Sequence, residues 1–230
     1  MDVPLYDTLD GQVALVTGAT RGIGKRIADG LVDYGATVYA GARDTDDIDA
    51  DDRRAIELDV TVDEQRAAAV DRIQREAGRL DILVNNAGVM DSREPLDEMP
   101  AETIDRTLTT NLRGPIHLTK RALDPLLARP GGRVVNISSG LGKVTEPQTG
   151  GMAAYRISKT GLNGLTRYLD GEYESLLANS VCPGYVQTDM TDGSAPRTPE
   201  KGAETPVWLA RFRPDAPSGE FWRDKSLKAW

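Results

Sequence analysis

The sequence predicts an α/β fold in which helices flank a single doubly wound parallel sheet of about seven strands. Short apolar runs that end in glycine or polar residues alternate along the chain with segments of helical periodicity. Parallel strands that are covered on both faces have such continuous apolar runs. The 230 residues contain no internal repeat and no linker that would divide them. Residues 1–230 are therefore predicted to form one domain.

The predicted strands are short apolar segments that alternate with the helices. The first of them, QVALVTG, ends in glycine, which is typical of a strand that leads into a tight turn. Since each strand returns through a helix to lie parallel to a neighbour, both faces of the sheet should be covered. The strands are predicted over residues 12–18, 36–42, 55–60, 81–88, 132–139, 178–184 and 219–222.

Four helices are predicted between these strands. They cover residues 23–35, 61–77 and 101–129, and a fourth contains Tyr155 and extends to about residue 173. Thr61 and Glu64 have the spacing of a capping box, so Thr61 is the expected N-cap. Pro115 lies within the third helix and is expected to kink it.

The connection between the second and third strands is unusually short. Residues 43–54 are too few and too acidic for a full crossover helix, so a loop or a single turn is expected there. The acidic run at residues 44–52 lacks the glycine and the terminal glutamate of an EF-hand loop. A solvated loop is therefore favoured over a cation site, and no metal site is predicted.

Charge and composition exclude several classes of function. The net charge of −8 argues against a nucleic-acid or anionic-membrane surface and predicts an acidic exterior. No window reaches the 18 apolar residues of a membrane span, and the first residues do not resemble a signal peptide. The single cysteine fits a reducing compartment. A cytoplasmic location is expected.

A glycine-rich loop, TGATRGIG, joins the first strand to the first helix. Glycines at 18, 22 and 24 allow a tight turn and a close approach of the backbone to a pyrophosphate. The amides at the start of the next helix would then point at the anion. This loop predicts dinucleotide binding by a Rossmann-type domain. The contacts are expected from Gly18, Thr20, Arg21, Gly22, Ile23 and Gly24.

Tyr155 and Lys159 lie four residues apart in the segment AAYRISKTG. On a helix they would share one face. A positive charge beside a phenol favours the phenolate and lowers the pKa of the tyrosine. The pair is therefore a candidate acid/base, although a surface helix could carry it by chance.

Five motifs in this order and spacing resemble the short-chain dehydrogenase/reductase family over about residues 11–223. The motifs are TGATRGIG at 17–24, NNAG at 85–88, NISS at 136–139, YRISK at 155–159 and PGYVQTDM at 183–190. The segments 195–210 and 218–225 resemble its carbonyl-reductase-like branch. The resemblance implies an oxidoreductase that uses a nicotinamide dinucleotide.

The resemblance implies four catalytic residues: Asn111, Ser139, Tyr155 and Lys159. By residue type, Ser138 and Ser139 both qualify to polarise the substrate oxygen, and strand alternation puts them on opposite faces. The family position favours Ser139. Asn111 is implied to distort the long helix and to hold a proton-relay water. The alternative for Asn111 is a helical residue that faces solvent.

The remaining cofactor contacts also follow from the resemblance, which implies that Tyr155 and Lys159 contact the cofactor too and that Lys159 hydrogen-bonds the nicotinamide ribose. Asp59 and Val60 would contact the adenine, and the contacts further along the cofactor are Asn86, Ala87, Gly88, Pro183, Gly184, Val186 and Thr188. The second strand ends in Ala42 followed by Arg43, where an NAD enzyme commonly has an acidic residue. An arginine there can bind a 2′-phosphate, so NADP(H) is favoured over NAD(H). Alternatively, Arg43 is only the first residue of a solvated loop.

The predicted function is NADP(H)-dependent interconversion of a small ketone or aldehyde with its alcohol. A dinucleotide-binding sensor without turnover and a biosynthetic enzyme for a sugar or a 3-oxoacyl group are the alternatives. The segment 140–152 is about three residues longer than is common in the family, which leaves specificity open. Residues 189–210 are predicted to form a small substrate lid. A homodimer or homotetramer is expected, although the branch includes monomers.

Overall fold

The computed structural model describes residues 3–46, 48, 52–145 and 147–230. Within these residues the chain forms one eight-stranded sheet with the order β3-β2-β1-β4-β5-β6-β7-β8. Strands β1 to β7 are parallel, and β8 is antiparallel to β7. The strands are β1 Val13–Thr17, β2 Thr37–Ala42, β3 Arg54–Glu57, β4 Ile82–Asn85, β5 Gly132–Ile137, β6 Leu176–Val181, β7 Glu220–Arg223 and β8 Ser226–Leu227. The predicted doubly wound sheet is confirmed, with a two-residue strand added at its edge.

Helices cover both faces of the sheet. The described helices are α1 Gly22–Asp33, α2 Asp63–Ala77, α3 Ala101–Leu108, α4 Gly114–Leu127, α5 Ala153–Glu172 and α6 Pro199–Ala210. One core contains side chains of α1 and α6, and the other contains side chains of α2, α4 and α5. Alternate residues of β1 enter opposite cores, as Ala14 and Leu15 do. None of the described helices is both long and apolar enough to span a membrane.

The strand order changes direction at β1, which pairs with β2 on one side and with β4 on the other. The crossover helices therefore diverge at this point and leave a crevice beyond the carboxyl ends of β1 and β4. The functional residues that follow these strands are brought to the same edge of the sheet.

The predicted helix 101–129 is interrupted, and Pro115 alone is not the reason. A π-helical turn, Thr109–Arg113, separates α3 from α4, and Pro115 lies in the first turn of α4. Proline has no N–H and is tolerated at that position. Pro115 therefore begins the second helix, and the distortion lies in the preceding turn, around Asn111.

Two further local predictions are wrong. The predicted third strand, 55–60, ends at Glu57, so Asp59 and Val60 lie in the turn after it. Thr61 is not the N-cap of α2, because that position is occupied by Val62. The Thr61 hydroxyl instead donates a hydrogen bond to the Asp59 carboxylate at 2.7 Å. The Thr61 hydroxyl, which a capping box would need, is therefore engaged in the local turn with Asp59.

The short connection between β2 and β3 is only partly described. Residues 47 and 49–51 of the acidic run lie outside the described residues, so the prediction of a loop is not tested there. The described residues 43–46, 48 and 52–53 form bends and a turn. Ile48 is buried in the core on the α1 face, and buried Arg53 forms an ion pair with Asp29 of α1 at 2.8 Å. The connection packs against α1 without a helix in its described part.

More than half of the predicted lid, 189–210, is a helix that packs against α1. Residues Pro199–Ala210 form α6, in which Ala203 and Val207 pack with α1. Gly30 of α1 allows a close approach, because a Cβ there would lie 2.9 Å from Val207. Only residues 189–198 cross the surface, and they begin with a short 3₁₀ turn, Asp189–Thr191.

Candidate active site

A cleft of about 1290 Å³ lies along the carboxyl edge of the sheet. All of the predicted cofactor-binding residues line it, and so do Ser139, Tyr155 and Lys159. Among the predicted catalytic residues, Asn111 is the exception, because its side chain is buried behind the wall. The cleft is deep enough to place a long ligand across the strand switch point, with the tyrosine at one end.

The glycine loop is held in place by the segment that follows β4. The Asn86 amide donates hydrogen bonds to the carbonyl oxygens of Thr17 and Gly18 at 2.8 and 3.0 Å. The Thr17 hydroxyl accepts hydrogen bonds from the backbone amides of Asn86 and Ala87, both at 2.9 Å. The TG and NNAG motifs therefore form one hydrogen-bonded unit, so Asn86 shapes the loop as well as lining the cleft.

The loop has no room for side chains at two of its glycines. A Cβ at Gly24 would lie 2.1 Å from the Gly18 carbonyl oxygen. Gly22 has φ +55°, which favours glycine, and its backbone faces Thr188 across the cleft. A cleft floor of bare backbone at the start of α1 fits a pyrophosphate held by amides.

Tyr155 lies in the first turn of α5, beside Ser139 at the end of β5. The Ser139 hydroxyl and the Tyr155 ring line the same part of the cleft. Burial raises the pKa of Tyr155 to about 12, and the nearby Ser139 side chain opposes that shift. The expectation that Lys159 lowers this pKa is wrong for the protein without cofactor, since desolvation of the phenolate dominates.

Lys159 is buried one helical turn beyond Tyr155. Its ammonium lies 5.6 Å from the centre of the Tyr155 ring and donates a hydrogen bond to the Ile137 carbonyl oxygen at 2.8 Å. Burial lowers the pKa of Lys159 to about 8. The ammonium is therefore held near the phenol by a backbone acceptor of β5, and its charge is costly to the fold.

Replacing Lys159 by methionine is expected to stabilise the cofactor-free protein by about 2 kcal/mol at pH 7. The difference between the ordinary lysine pKa of 10.5 and a pKa of about 8 corresponds to roughly 3 kcal/mol, from which about 1 kcal/mol is subtracted for the lost hydrogen bond. The wild-type free energy of unfolding should also rise between about pH 8 and 10.5, where only the unfolded chain keeps the proton.

Urea unfolding of both proteins across that pH range measures the effect. The exposed Lys201, replaced by methionine, serves as the control and should change stability by less than ~0.5 kcal/mol. Equal stability of the Lys159→Met variant and the wild type at pH 7 would contradict the assigned cost.

Asn111 is fully buried in the π-helical turn, which excludes the solvent-facing alternative. Its amide donates hydrogen bonds to the Val89 carbonyl oxygen at 2.8 Å and to the Ser158 hydroxyl at 3.1 Å. Its side-chain oxygen accepts a hydrogen bond from the Val89 amide at 2.8 Å. The side chain thus ties the π turn to the segment that follows β4.

The opposite end of the cleft carries two arginines. Arg43 is exposed directly after Ala42, the last residue of β2. Arg21, in the glycine loop, forms an ion pair with Asp189 at 2.8 Å, and both side chains are more than two thirds exposed. Such an exposed pair is weak. The Arg21 guanidinium can therefore exchange its partner for a ligand anion.

The substrate side of the cleft contains residues that the sequence patterns did not identify. Met90, Met152 and Met190 line it together with Leu141 and Tyr185. Met152 has φ 59°, a left-handed conformation unusual for methionine, and its amide donates a hydrogen bond to the Arg93 carbonyl oxygen at 3.2 Å. Met152 ends the glycine-rich segment 140–152, which the sequence places beside the substrate, and Gly150 and Gly151 before it also have positive φ. The wall beside Tyr155 is thus largely apolar.

Comparison with known proteins identifies the family. A family model described as short chain dehydrogenase matches residues 12–198. The chain belongs to the short-chain dehydrogenase family. It is therefore an oxidoreductase, and its cleft is that of a family that uses nicotinamide dinucleotides.

This short-chain dehydrogenase is similar to two curated proteins of different stated activity. It is 38% identical over 192 residues to a 3-oxoacyl-(acyl-carrier-protein) reductase of Vibrio cholerae, covering 80% of this chain and 77% of the relative. It is 32% identical to carbonyl reductase (NADPH) 1 of Mus musculus, covering 95% and 98% of the two chains.

Solved structures share the fold of this short-chain dehydrogenase. A putative gluconate dehydrogenase from Agrobacterium tumefaciens has a TM-score of 0.84 at 28% identity, covering 95% of this chain and 96% of that one. Salutaridine reductase from Papaver somniferum has a TM-score of 0.80 at 27% identity, covering 92% and 99%. The substrates named for these relatives differ widely, so the fold and the family leave the substrate of this chain open.

Proposed function

We propose that this protein is an NADP(H)-dependent carbonyl reductase that works in reverse as a secondary-alcohol dehydrogenase. The observation that supports it most directly is the group formed by Ser139, Tyr155 and Lys159 at one end of the cleft. The two hydroxyl-bearing side chains line the cleft together, and the ammonium is buried 5.6 Å from the centre of the phenol ring. This arrangement suits a proton donor that serves a carbonyl oxygen.

The residues present fit a nicotinamide dinucleotide. The bare backbone at Gly18, Gly22 and Gly24 leaves space for the pyrophosphate, and Asp59 and Val60 line the adenine end of the cleft. Val186 and Thr188, after the Pro183–Gly184 turn, also line the cleft, and Thr188 faces the glycine loop at Gly22. The bound cofactor would supply a hydride to the substrate carbon or accept one from it.

Ser139 and Tyr155 act on the substrate oxygen and on the proton that it receives. Ser139 donates a hydrogen bond that orients and polarises the carbonyl. Tyr155 gives its proton to that oxygen in the reducing direction and takes it back in the oxidising direction. A phenolate at Tyr155 is costly because the residue is buried, so the charge of Lys159 is needed close by.

The preference for NADP(H) is supported by charge at the end of β2. Ala42 offers no carboxylate to a ribose 2′-hydroxyl, whereas Arg43 and Arg21 offer cations to a 2′-phosphate. The mouse relative carries NADPH in its name, and this chain spans nearly all of it.

Turnover measured with a panel of carbonyls tests the proposal. NADPH and NADH oxidation would be followed with aliphatic and aromatic ketones, aldehydes, aldoses and an acetoacetyl thioester. Faster turnover of simple ketones with NADPH is the expected result. Cofactor binding in a fluorescence titration without any turnover would instead favour the sensor.

The second candidate function is 3-oxoacyl thioester reduction. It is favoured by the 38% identity to the Vibrio cholerae reductase. The apolar wall of three methionines accommodates a short acyl chain as well as a ketone. A kcat/KM for the acetoacetyl thioester above that of every simple ketone would favour this candidate.

Met152 is expected to determine preference for bulky apolar substrates. Met152→Gly and Met152→Asn both suit the left-handed conformation, but both remove the thioether from the cleft. The KM for an aromatic ketone should rise about tenfold in each, since roughly 1–2 kcal/mol of apolar contact is lost. Relief of the left-handed strain should stabilise Met152→Gly by up to ~1 kcal/mol and Met152→Asn by less.

Steady-state kinetics with an aromatic and a small aliphatic ketone measures this effect. The KM for the small ketone should change less than twofold, which separates lost contact from a displaced helix. An unchanged KM for the aromatic ketone in both variants would place Met152 outside the substrate path.

A further inference from the structure

Ser138, the neighbour of the proposed catalytic Ser139, is 2% exposed and is hydrogen-bonded to α5. Its hydroxyl donates a hydrogen bond to the Asn163 side-chain oxygen at 2.6 Å. Asn163 is itself 5% exposed and lies on α5, one helical turn beyond Lys159. Strand alternation thus separates the two serines, and Ser138 connects β5 to the helix of Tyr155 and Lys159.

Asn163 also holds the turn that follows Ser139. Its amide donates a hydrogen bond to the Gly142 carbonyl oxygen at 3.1 Å. The Thr160 hydroxyl donates to the same oxygen, also at 3.1 Å. Gly142 packs so closely on the helix that a Cβ there would lie 2.7 Å from the Lys159 carbonyl carbon. The 3₁₀ turn Gly140–Gly142 is therefore attached to α5 on the Lys159 side.

The same turn determines where the Ser139 hydroxyl lies. The Leu141 amide donates to the Ser139 hydroxyl oxygen at 3.1 Å, and the Gly142 amide donates to the Ser139 carbonyl oxygen at 3.0 Å. A displacement of the turn relative to α5 would therefore change the distance between the Ser139 and Tyr155 hydroxyls. Catalytic groups lose much of their effect when they move by about 1 Å.

We propose that Asn163, together with Ser138, is a positioning residue that holds the Ser139 hydroxyl against Tyr155. A single amide does this by accepting from the residue before Ser139 and donating to the residue three after it. The role of Asn163 in turnover rests on the proposed reductase function. The attachment of the turn at residues 139–142 to α5 does not depend on the proposed reductase function.

The test compares three variants with a matched control. Asn163→Leu removes both hydrogen bonds, Ser138→Ala removes one, and Ser138→Thr keeps the hydroxyl. The control is Thr166→Val on the same helix. Thr166 is also buried, and its hydroxyl forms hydrogen bonds with Asn136 at 2.8 Å, Ser180 at 2.7 Å and the Leu162 carbonyl oxygen at 3.2 Å, none of which involves residues 139–142. The Thr166→Val variant therefore measures the effect of losing buried hydrogen bonds on α5 when Ser139 is not displaced.

Two readouts are needed, one of which is independent of turnover. Hydrogen–deuterium exchange of the peptide 138–145 should be on the order of tenfold faster in Asn163→Leu and Ser138→Ala. In Ser138→Thr and Thr166→Val it should match the wild type. In the same two disrupted variants, kcat should fall about tenfold to a hundredfold with little change in the KM for NADPH. The apparent pKa of the oxidation reaction should rise, because the nearby Ser139 side chain lowers the pKa of Tyr155.

The outcomes separate the two proposals. Unchanged exchange in Asn163→Leu would overturn the attachment of the turn, whether or not the protein turns over any substrate. Faster exchange with kcat and pH profile equal to those of Thr166→Val would overturn the positioning role. Absence of turnover in the wild type would count against the reductase function, while exchange would still test the attachment. If Asn163→Leu does not fold, Ser138→Ala against Ser138→Thr gives the same comparison.

Discussion

Replacing Tyr155 by phenylalanine is expected to lower kcat for ketone reduction by two to four orders of magnitude. The change removes one oxygen, and with it the proton that the substrate oxygen must receive. The ring and its contact with Lys159 remain, so the affinity for NADPH should change less than twofold. Steady-state kinetics and a fluorescence titration of NADPH measure the two effects separately.

Tyr185 provides the matched control for this substitution. It lines the same cleft and is 51% exposed, so Tyr185→Phe removes a hydroxyl without removing the proposed donor. It should keep kcat within about threefold. A Tyr155→Phe variant that loses no more activity than Tyr185→Phe would show that the proton comes from elsewhere.

Exchanging the charge at the end of β2 is expected to reverse the cofactor preference. The double variant Ala42→Asp, Arg43→Gln removes a cation and adds a carboxylate where the ribose 2′-position would lie. A hydrogen bond to a charged group contributes about 1.5–3 kcal/mol, so the Kd for NADPH should rise roughly 10- to 150-fold. The new carboxylate can accept from a 2′-hydroxyl, so NADH should bind more tightly. Titrations with both cofactors give the ratio.

Lys25→Gln controls for a general loss of positive charge. Lys25 lies on α1, where it forms an ion pair with Asp29 at 3.2 Å. Its loss should weaken NADPH binding less than twofold. If the double variant keeps the wild-type affinity for NADPH, then Arg43 does not bind the 2′-phosphate and the NADP assignment fails.

The central strand pattern and the glycine loop could be predicted because their causes are local. Apolar runs mark the buried strands. Gly18 and Gly22 have the positive φ that favours glycine, and Gly24 has no room for a Cβ. The four-residue spacing of Tyr155 and Lys159 places them on one face of any helix. Local signals were less reliable at the ends of elements. Thr61 had the pattern of a cap, but its hydroxyl binds Asp59.

The sequence by itself thus determined the doubly wound sheet, the glycine loop and the identity of the candidate catalytic residues. Only the tertiary structure decided that Ser139 faces Tyr155 while Ser138 binds Asn163, 25 residues away. It also decided that burial outweighs charge in raising the pKa of Tyr155 and lowering that of Lys159. The physical reason is the same in each case. Desolvation and hydrogen bonding depend on which distant segments enclose a group, and spacing along the chain does not contain that information.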